Sequence, residues 1–365
     1  MRFVVYDQTH EAAYRRFAAT VGGATLGMPF HYYGPAEAIV IRRHLLIDNG
    51  ADPPLVVGAV TTKEQDYALA HTTVRVAVAT YPISLGIVEP RYAMAGMLIF
   101  RKLLEACPLN FLLGMGPPET NTTAKLCLML GWRLFAVPYL FMPRRLAPLV
   151  AKQLAGHSAL AHAIRMAGGL GLFAPVEARM HVRARRAAGT IDIAVVPMFD
   201  AKLDAWWSAY SKEIGFGRAR DSQQMNAMFP ATIDAFERIV FCRDGRIVGF
   251  AVLLVPKPKD AQRAMGANVV TLVEFCAYAS DLQDAAAALA QRLWRQKLDA
   301  VIANHSHGPT IAALKAVGFR PRVTNMYLAV SPQLQTRLDA ANVGLAQMVI
   351  SRADGDGPIG LGVDF

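Results

Sequence analysis

Two short glycine patterns recur in the sequence at nearly one offset. Gly58 in LVVGAV pairs with Gly249 in RIVGFAV, 191 residues on, and Gly131 in LMLGWRL pairs with Gly318 in KAVGFRP, 187 residues on. Agreement by chance is the competing reading. A duplicated unit of roughly 140 residues, each copy with its own core, is the economical one. The chain is 365 residues long, 53% hydrophobic and 18% charged, which leaves room for two cores and argues against disorder.

Each half shows the same order of signals. In the first, Leu55–Val60 and Pro82–Val88 read as buried strands, the latter ended by Glu89-Pro90. Met94, Met97, Leu98, Phe100, Arg101 and Leu104 give residues 94 to 106 a helical period. Asn110–Met115 reads as a strand, and Glu119–Leu130 as a helix opened by Thr120 or Asn121 and closed by Gly131. Arg133–Met142 reads as a last strand, with Pro138 marking an edge or bulge. The second half offers strands at 190–196, 269–278, 298–303 and 322–330, a hairpin around Asp244-Gly245, and helices at 202–212, 281–296 and 309–317. The predicted domains are 1–148 and 188–335, joined by a basic helical linker, 149–187, and followed by a tail, 336–365, that reads as mobile from Ser351.

The order strand, polar turn, helix, strand, helix ending in Gly-aromatic, strand resembles the GCN5-related N-acetyltransferase (GNAT) superfamily. Leu130-Gly131-Trp132 and Val317-Gly318-Phe319 match its closing signature. ANHSHGPTIAALKAVGF and the following SPQL also look like tandem members encoded with bacterial polysaccharide genes. The resemblance implies an α/β (α+β) fold: two tandem GNAT-like domains, each a mixed, mostly antiparallel sheet flanked by helices. It also implies acetyl-CoA or another acyl-CoA as cofactor. The family holds the coenzyme A pyrophosphate on backbone N–H groups at the turn after its fourth strand, where a helix N-terminus favours anions.

In the first half that turn is Val88-Glu-Pro-Arg-Tyr-Ala-Met-Ala-Gly-Met97, which keeps Pro90, Arg91, Tyr92 and Gly96. Ala93 stands where Arg or Gln is usual, and Leu98 where a second Gly is expected. The implied cofactor residues are Gly86, Ile87, Val88, Arg91, Ala95, Gly96, Met97, Leu98 and Asn121, with Leu85 to Val88 on the strand whose N–H polarises the acyl carbonyl. The second half's Tyr278–Asp284 has no glycine, and Asp281 and Asp284 oppose an anion there. The first half is therefore the better cofactor candidate.

Acyl transfer to an amine needs a base of suitable pKa. Glu89, at the strand end, is the first choice; it also reads as an ordinary solvated acid. Glu274 is the only charge between Asn268 and Ala279, so it is either a perturbed functional acid or one partner of an arginine. The family's frequent acid is a Tyr four residues before the closing Gly. Cys127 and Leu314 occupy those positions, and Cys127 is either a proton donor or core.

Other features narrow the class. Residues 143 to 187 carry Arg144, Arg145, Lys152, Arg165, Arg179, Arg183, Arg185 and Arg186 against Glu177, most of the net charge of +10. One aromatic in that stretch, Phe173, makes nucleic acid a poor partner. Its basic, amphipathic composition suits a bridging helix pair or peripheral contact with an anionic membrane. Cys107, Cys127, Cys242 and Cys276 lack paired spacing and read as reduced thiols, hence a cytoplasmic setting. No signal peptide or membrane-spanning run is expected. His305 and His307 lack further ligands at metal spacing, so no metal is expected; His307 reads as a helix cap or part of an acceptor cleft. Two functions remain: an acyl-CoA-dependent acyltransferase acting on a small-molecule or sugar acceptor, or a non-catalytic binding or scaffold protein of two degenerate transferase domains.

Overall fold

The computed structural model describes residues 1–22, 39–154, 158–177, 191–255, 268–296 and 298–355. They form two compact units. The first comprises Met1–Ala136, Gly215–Ala219 and Asn325–Gly344; the second comprises Val137–Ile214, Arg220–Thr324 and the chain from Leu345. In chain order the elements are β1 (Arg2–Val5), α1 (Glu11–Thr20), β2 (Val40–Asp48), β3 (Leu55–Leu69), β4 (Thr72–Ser84), α2 (Ala95–Ala106), β5 (Asn110–Met115), α3 (Thr122–Met129) and β6 (Arg133–Ala136). Next come β7 (Tyr139–Pro143), α4 (Leu146–Gln153), α5 (Ser158–Gly169), β8 (Asp192–Val196), α6 (Lys202–Tyr210), β9 (Phe216–Arg218), α7 (Ser222–Met228), β10 (Phe236–Arg243) and β11 (Arg246–Leu254). The last are β12 (Val269–Ala277), α8 (Leu282–Arg295), β13 (Ala300–Asn304), α9 (Gly308–Ala316), β14 (Arg320–Arg322), β15 (Tyr327–Val330) and α10 (Pro332–Ala340).

The first unit's sheet runs β1-β2-β3-β4-β5-β15-β6, and the second's runs β14-β7-β13-β12-β11-β10-β8. Every pairing along both paths is antiparallel except β4 with β5 and β12 with β13. The strand beside β5 thus comes from residues 327–330, and the strand beside β13 from residues 139–143. Residues 133–142 are therefore not one strand, nor are 322–330. Pro138 has no N–H to continue a ladder, and β6 and β7 on either side of it lie in different sheets. Pro82–Val88 is also not one strand: β4 starts at Thr72 and ends at Ser84, and Leu85–Ile87 is a 3-10 turn.

The repeated glycines have local reasons. Gly131 and Gly318 follow α3 and α9 with φ of +78° and +114°, the left-handed region that ends a helix with little strain only in glycine. Gly58 lies under Ile99 of α2, which would sit 2.3 Å from an added Cβ. The first core packs Ile99, Phe100 and Leu103 against Val56, Ala79 and Leu112; the second packs the alanine face of α8 against Val270, Leu272 and Phe275. Ser351 to Asp354, expected to be mobile, instead forms a capped 3-10 turn with Asp354 fully buried. The chain after Gly355, and Arg179, Arg183, Arg185 and Arg186, lie outside the described residues.

Candidate functional site

The first unit contains a wedge. β4 and β5 pair in parallel only from Ala77–Ala79 to Asn110–Leu112. Beyond that, β4 continues to Ser84 bonded to β3, and β5 continues to Met115 bonded to β15. A bulge helps turn β4 aside: the register slips between Ala59 and Thr61, and Tyr81 takes a φ of +49°. Gly114, with φ +103°, bulges β5 against β15 and is exposed.

At the end of β4 the chain makes two 3-10 turns, Leu85–Ile87 and Pro90–Tyr92, and enters α2. Tyr92 pins this turn: its ring is buried and its hydroxyl donates to Asp48 Oδ2 at 3.0 Å. The first turn of α2 lies beside the strand end, since an added Cβ on Gly96 would stand 3.5 Å from Ser84 Oγ and from Leu126 Cδ1. The amides of this stretch divide into two sets. Val88 and Glu89 donate to Leu85 O at 2.9 and 2.8 Å, Tyr92 to Glu89 O, Ala93 to Pro90 O, and Leu98 to Met94 O. Among the described residues, the N–H groups of Met94, Ala95, Gly96 and Met97 find no well-aligned acceptor, and no side chain caps the helix. Met94 is 59% exposed, Gly96 and Met97 are half-buried, and Ala95 is fully buried. Three reachable donors at a helix N-terminus make a place for an anion.

The expected cofactor residues are sorted by this geometry. Gly96 and Met97 present amides, and Met94, which the sequence reading missed, joins them. Val88 and Leu98 do not, because their N–H groups are bonded within the turn. Ala95 is covered. Gly86 packs against the second turn, where an added Cβ would meet Tyr92 O at 2.6 Å. Ile87 and Val88 are 64% and 54% exposed, and Leu85 to Val88 lie beyond the strand rather than on it. Arg91 is exposed and ion-paired with Glu89. The Asn121 side-chain oxygen caps α3 by accepting from Ala124 N at 2.9 Å. Cys127 is fully buried and desolvation pushes its thiol up to about 12, so it is core and not a proton donor.

The corresponding wedge of the second unit is filled. β12 and β13 pair from Val269–Leu272 to Ala300–Ala303, and then His305 Nε2 meets Phe275 O at 3.2 Å across the opening. Ser306 N donates to Ile350 O, and Ile350 N to Ser306 Oγ. Glu274, 1% exposed, faces Arg220 Nη2 at 3.1 Å; Asp354 Oδ2 is 3.7 Å from the same nitrogen and Val349 O 3.1 Å. Glu274 is thus an arginine partner inside the second unit. Burial opposes the charge of Arg220, yet Glu274, Cys276 and Asp354 hold its pKa above the ordinary value. Glu274, Cys276 and His305 bring possible metal-ligating atoms within 4.8 Å of one another, but the guanidinium already supplies the cation there. At the start of α8, Arg243 Nε reaches Asp281 at 2.9 Å, and its Nη2 reaches Asp284 at 2.5 Å. Arg220 and Asp354 were not found from sequence. They lie 54 residues before and 80 after Glu274, with no motif to join them.

His305 accepts from His307 N on Nδ1 at 3.1 Å, so its proton sits on Nε2, aimed at Phe275 O. Desolvation, with His307 and Arg220 nearby, holds it down to about 3; desolvation and Arg220 hold His307 at about 4. His307 Nδ1 lies 2.9 Å from Thr310 Oγ1 in the first turn of α9. Both folded values lie below the unfolded one near 6.5. The unfolded chain therefore binds more protons, and stability falls as pH drops from about 6.5 toward 4. Each histidine contributes up to about 1.4 kcal/mol per pH unit in that window. Urea midpoints at pH 7 and pH 5 are expected to differ, and His305→Asn with His307→Gln to reduce the difference. An unchanged difference in the double variant would count against this.

Solved structures with the same fold include a conserved protein of unknown function from Enterococcus faecalis V583, described as a probable N-acyltransferase. It superposes with a TM-score of 0.54 at 10% identity over 92% of this chain and 74% of that one. A GCN5-related N-acetyltransferase from Anabaena variabilis ATCC 29413 gives 0.54 at 9% identity, over 90% of this chain and 72% of that one. Another from Kribbella flavida gives 0.52 at 14% identity, over 93% and 74%. No model of a known protein family matches the sequence, and no curated protein does. At these identities the likeness is one of fold. The chain has the fold of the GCN5-related N-acetyltransferases, with a mixed sheet of that kind in each of its two units.

Proposed function

We propose that the protein is an acyl-CoA-dependent acyltransferase whose first unit holds the cofactor. The observation that carries this is the β4/β5 wedge with the Met94, Gly96 and Met97 amides at its mouth. The diphosphate of coenzyme A would lie on those amides, with Arg91 beside it, and the acyl arm would run along the gap between the strands. An acceptor amine or hydroxyl attacks the thioester carbonyl. The new bond to nitrogen or oxygen forms, the C–S bond breaks, and coenzyme A leaves as the thiol after taking a proton. Glu89 is the proposed base, because Cys127 is core and Glu274 is buried against Arg220 in the second unit. The second unit, its own wedge filled by His305 and residues 348–354, would act in shaping the protein rather than in binding a second cofactor. Acetyl-CoA is the first acyl donor to try, and a small molecule or sugar the first acceptor class.

Thermal unfolding with acetyl-CoA and longer acyl-CoAs is the test of binding. A ligand at a hundred times its dissociation constant adds about 2.7 kcal/mol. Stabilisation by an acyl-CoA with turnover supports the transferase. Glu89→Gln is then expected to lower kcat about 100-fold or more while leaving acyl-CoA binding in place, read by coupled thiol release. Equal kcat in wild type and variant would remove Glu89 from the mechanism. The buried Cys127 at the usual acid position favours the other reading, a binding protein of degenerate domains. Binding without turnover against a broad amine and sugar panel would select it, and no stabilisation by any acyl-CoA would overturn the cofactor site.

A further inference from the structure

In the α4–α5 hairpin of the second unit, small residues are buried, the large apolar residues of α4 are half-buried, and α5 exposes Leu160 and Met166 beside His162. Ala147, Ala151 and Ala161 are each 7% exposed or less, and Gly168 lies so close to α4 that an added Cβ would meet Ala147 Cβ at 2.2 Å. Leu160 and Met166 instead stand 50% and 58% exposed, with Ala159 and Ala163 also on the outside. The chain after α5 continues the pattern, with Leu170 at 78%, Leu172 at 69% and Val176 at 52%. A helix facing water puts polar residues on that side. Small residues toward the partner helix and large ones outward is the arrangement of helices whose outer solvent is lipid.

Charge agrees with this. The segment 143–187 carries eight Lys and Arg against one acid in the sequence; of the eight, Arg144 is buried against Trp294 and Arg145 pairs with Asp299. That acid, Glu177, points back to the hairpin, accepting from Leu146 N at 2.8 Å at the start of α4. Among the described residues, no helix is long and apolar enough to cross a membrane. A short helix with an exposed apolar face in a basic segment is suited to lie in the headgroup layer of an anionic bilayer.

We propose that residues 158–176 form a membrane-surface docking site for anionic lipid, independent of the acyltransferase reading. Leu160, Met166, Leu170 and Leu172 would enter the acyl boundary.

The test is flotation of the full-length protein with vesicles of phosphatidylcholine alone or with about 30% phosphatidylglycerol, at low and high salt. Wild type is expected to float with the anionic vesicles at low salt and much less with neutral ones, and salt should weaken it. Met166→Glu with Leu170→Glu changes only exposed positions and is expected to lower partitioning about tenfold or more at an unchanged unfolding midpoint. A folded wild type that stays with neither vesicle, or a double variant that floats as well as wild type, would overturn the proposal. So would a wild-type dimer in light scattering that the double variant dissolves while vesicle binding is absent, which would assign this face to a second copy of the chain.

Discussion

Gly96→Asp is expected to keep the protein folded and to lower coenzyme A affinity about 100-fold or more. Position 96 has room, since the nearest heavy atoms to an added Cβ stand at 3.5 Å. The new carboxylate would lie on the amides proposed to hold the diphosphate, and would repel it. The same carboxylate suits the first turn of α2, where a negative charge is worth about 0.3–1 kcal/mol, and it replaces a glycine that a helix disfavours. Stability and binding should therefore move in opposite directions. Gly96→Asn, similar in size and uncharged, should keep most of the affinity. Isothermal titration with coenzyme A and a urea melt read the two effects separately. Equal affinity in the Asp variant and wild type would mean that the diphosphate lies elsewhere.

The other large effect belongs to the filled wedge. Arg220→Met removes the cation that the buried carboxylates of Glu274 and Asp354 both face. Breaking one side of a buried ion pair costs about 3–5 kcal/mol, whereas replacing the whole set with uncharged groups costs far less. Arg220→Met is thus expected to lower the unfolding free energy by several kcal/mol, and adding Glu274→Gln and Asp354→Asn to recover much of it. Guanidinium unfolding of the single and triple variants measures this. A single variant within about 1 kcal/mol of wild type would show that the guanidinium does not hold this wedge closed.

What could be read from the sequence follows from how local each signal is. Gly131 and Gly318 mark helix ends through their own backbone conformation, so they stood out. The strand-turn-helix order around Val88 to Met97 was also legible, since each step rests on neighbouring residues. β3 was read only to Val60, although it continues to Leu69. Its Thr61, Thr62, Lys63 and Gln65 are polar, unlike the apolar run before them, and yet are buried, Thr62 meeting His44 Nε2 at 3.0 Å. Glu274 was recognisable as the one charge in an apolar strand, but its partner was not, because Arg220 reaches it only through the fold. The placement of β7 and β15 in different sheets from the strands before them was hidden for the same reason. Pro138 marks one break, but not where the chain goes next, and no proline marks the break between Arg322 and Tyr327. Which amides of the Val88 turn remain available depends on two 3-10 turns, and periodicity cannot resolve structures that short.

The claim on which the function rests is that the amides at the start of α2 grip a diphosphate. Hydrogen exchange of the full chain with and without saturating coenzyme A reports on those protons themselves. Slowed exchange across residues 94–97, with residues 281–285 unchanged, is the predicted outcome. Protection at 281–285 instead, or none at either helix while coenzyme A is bound, would contradict it.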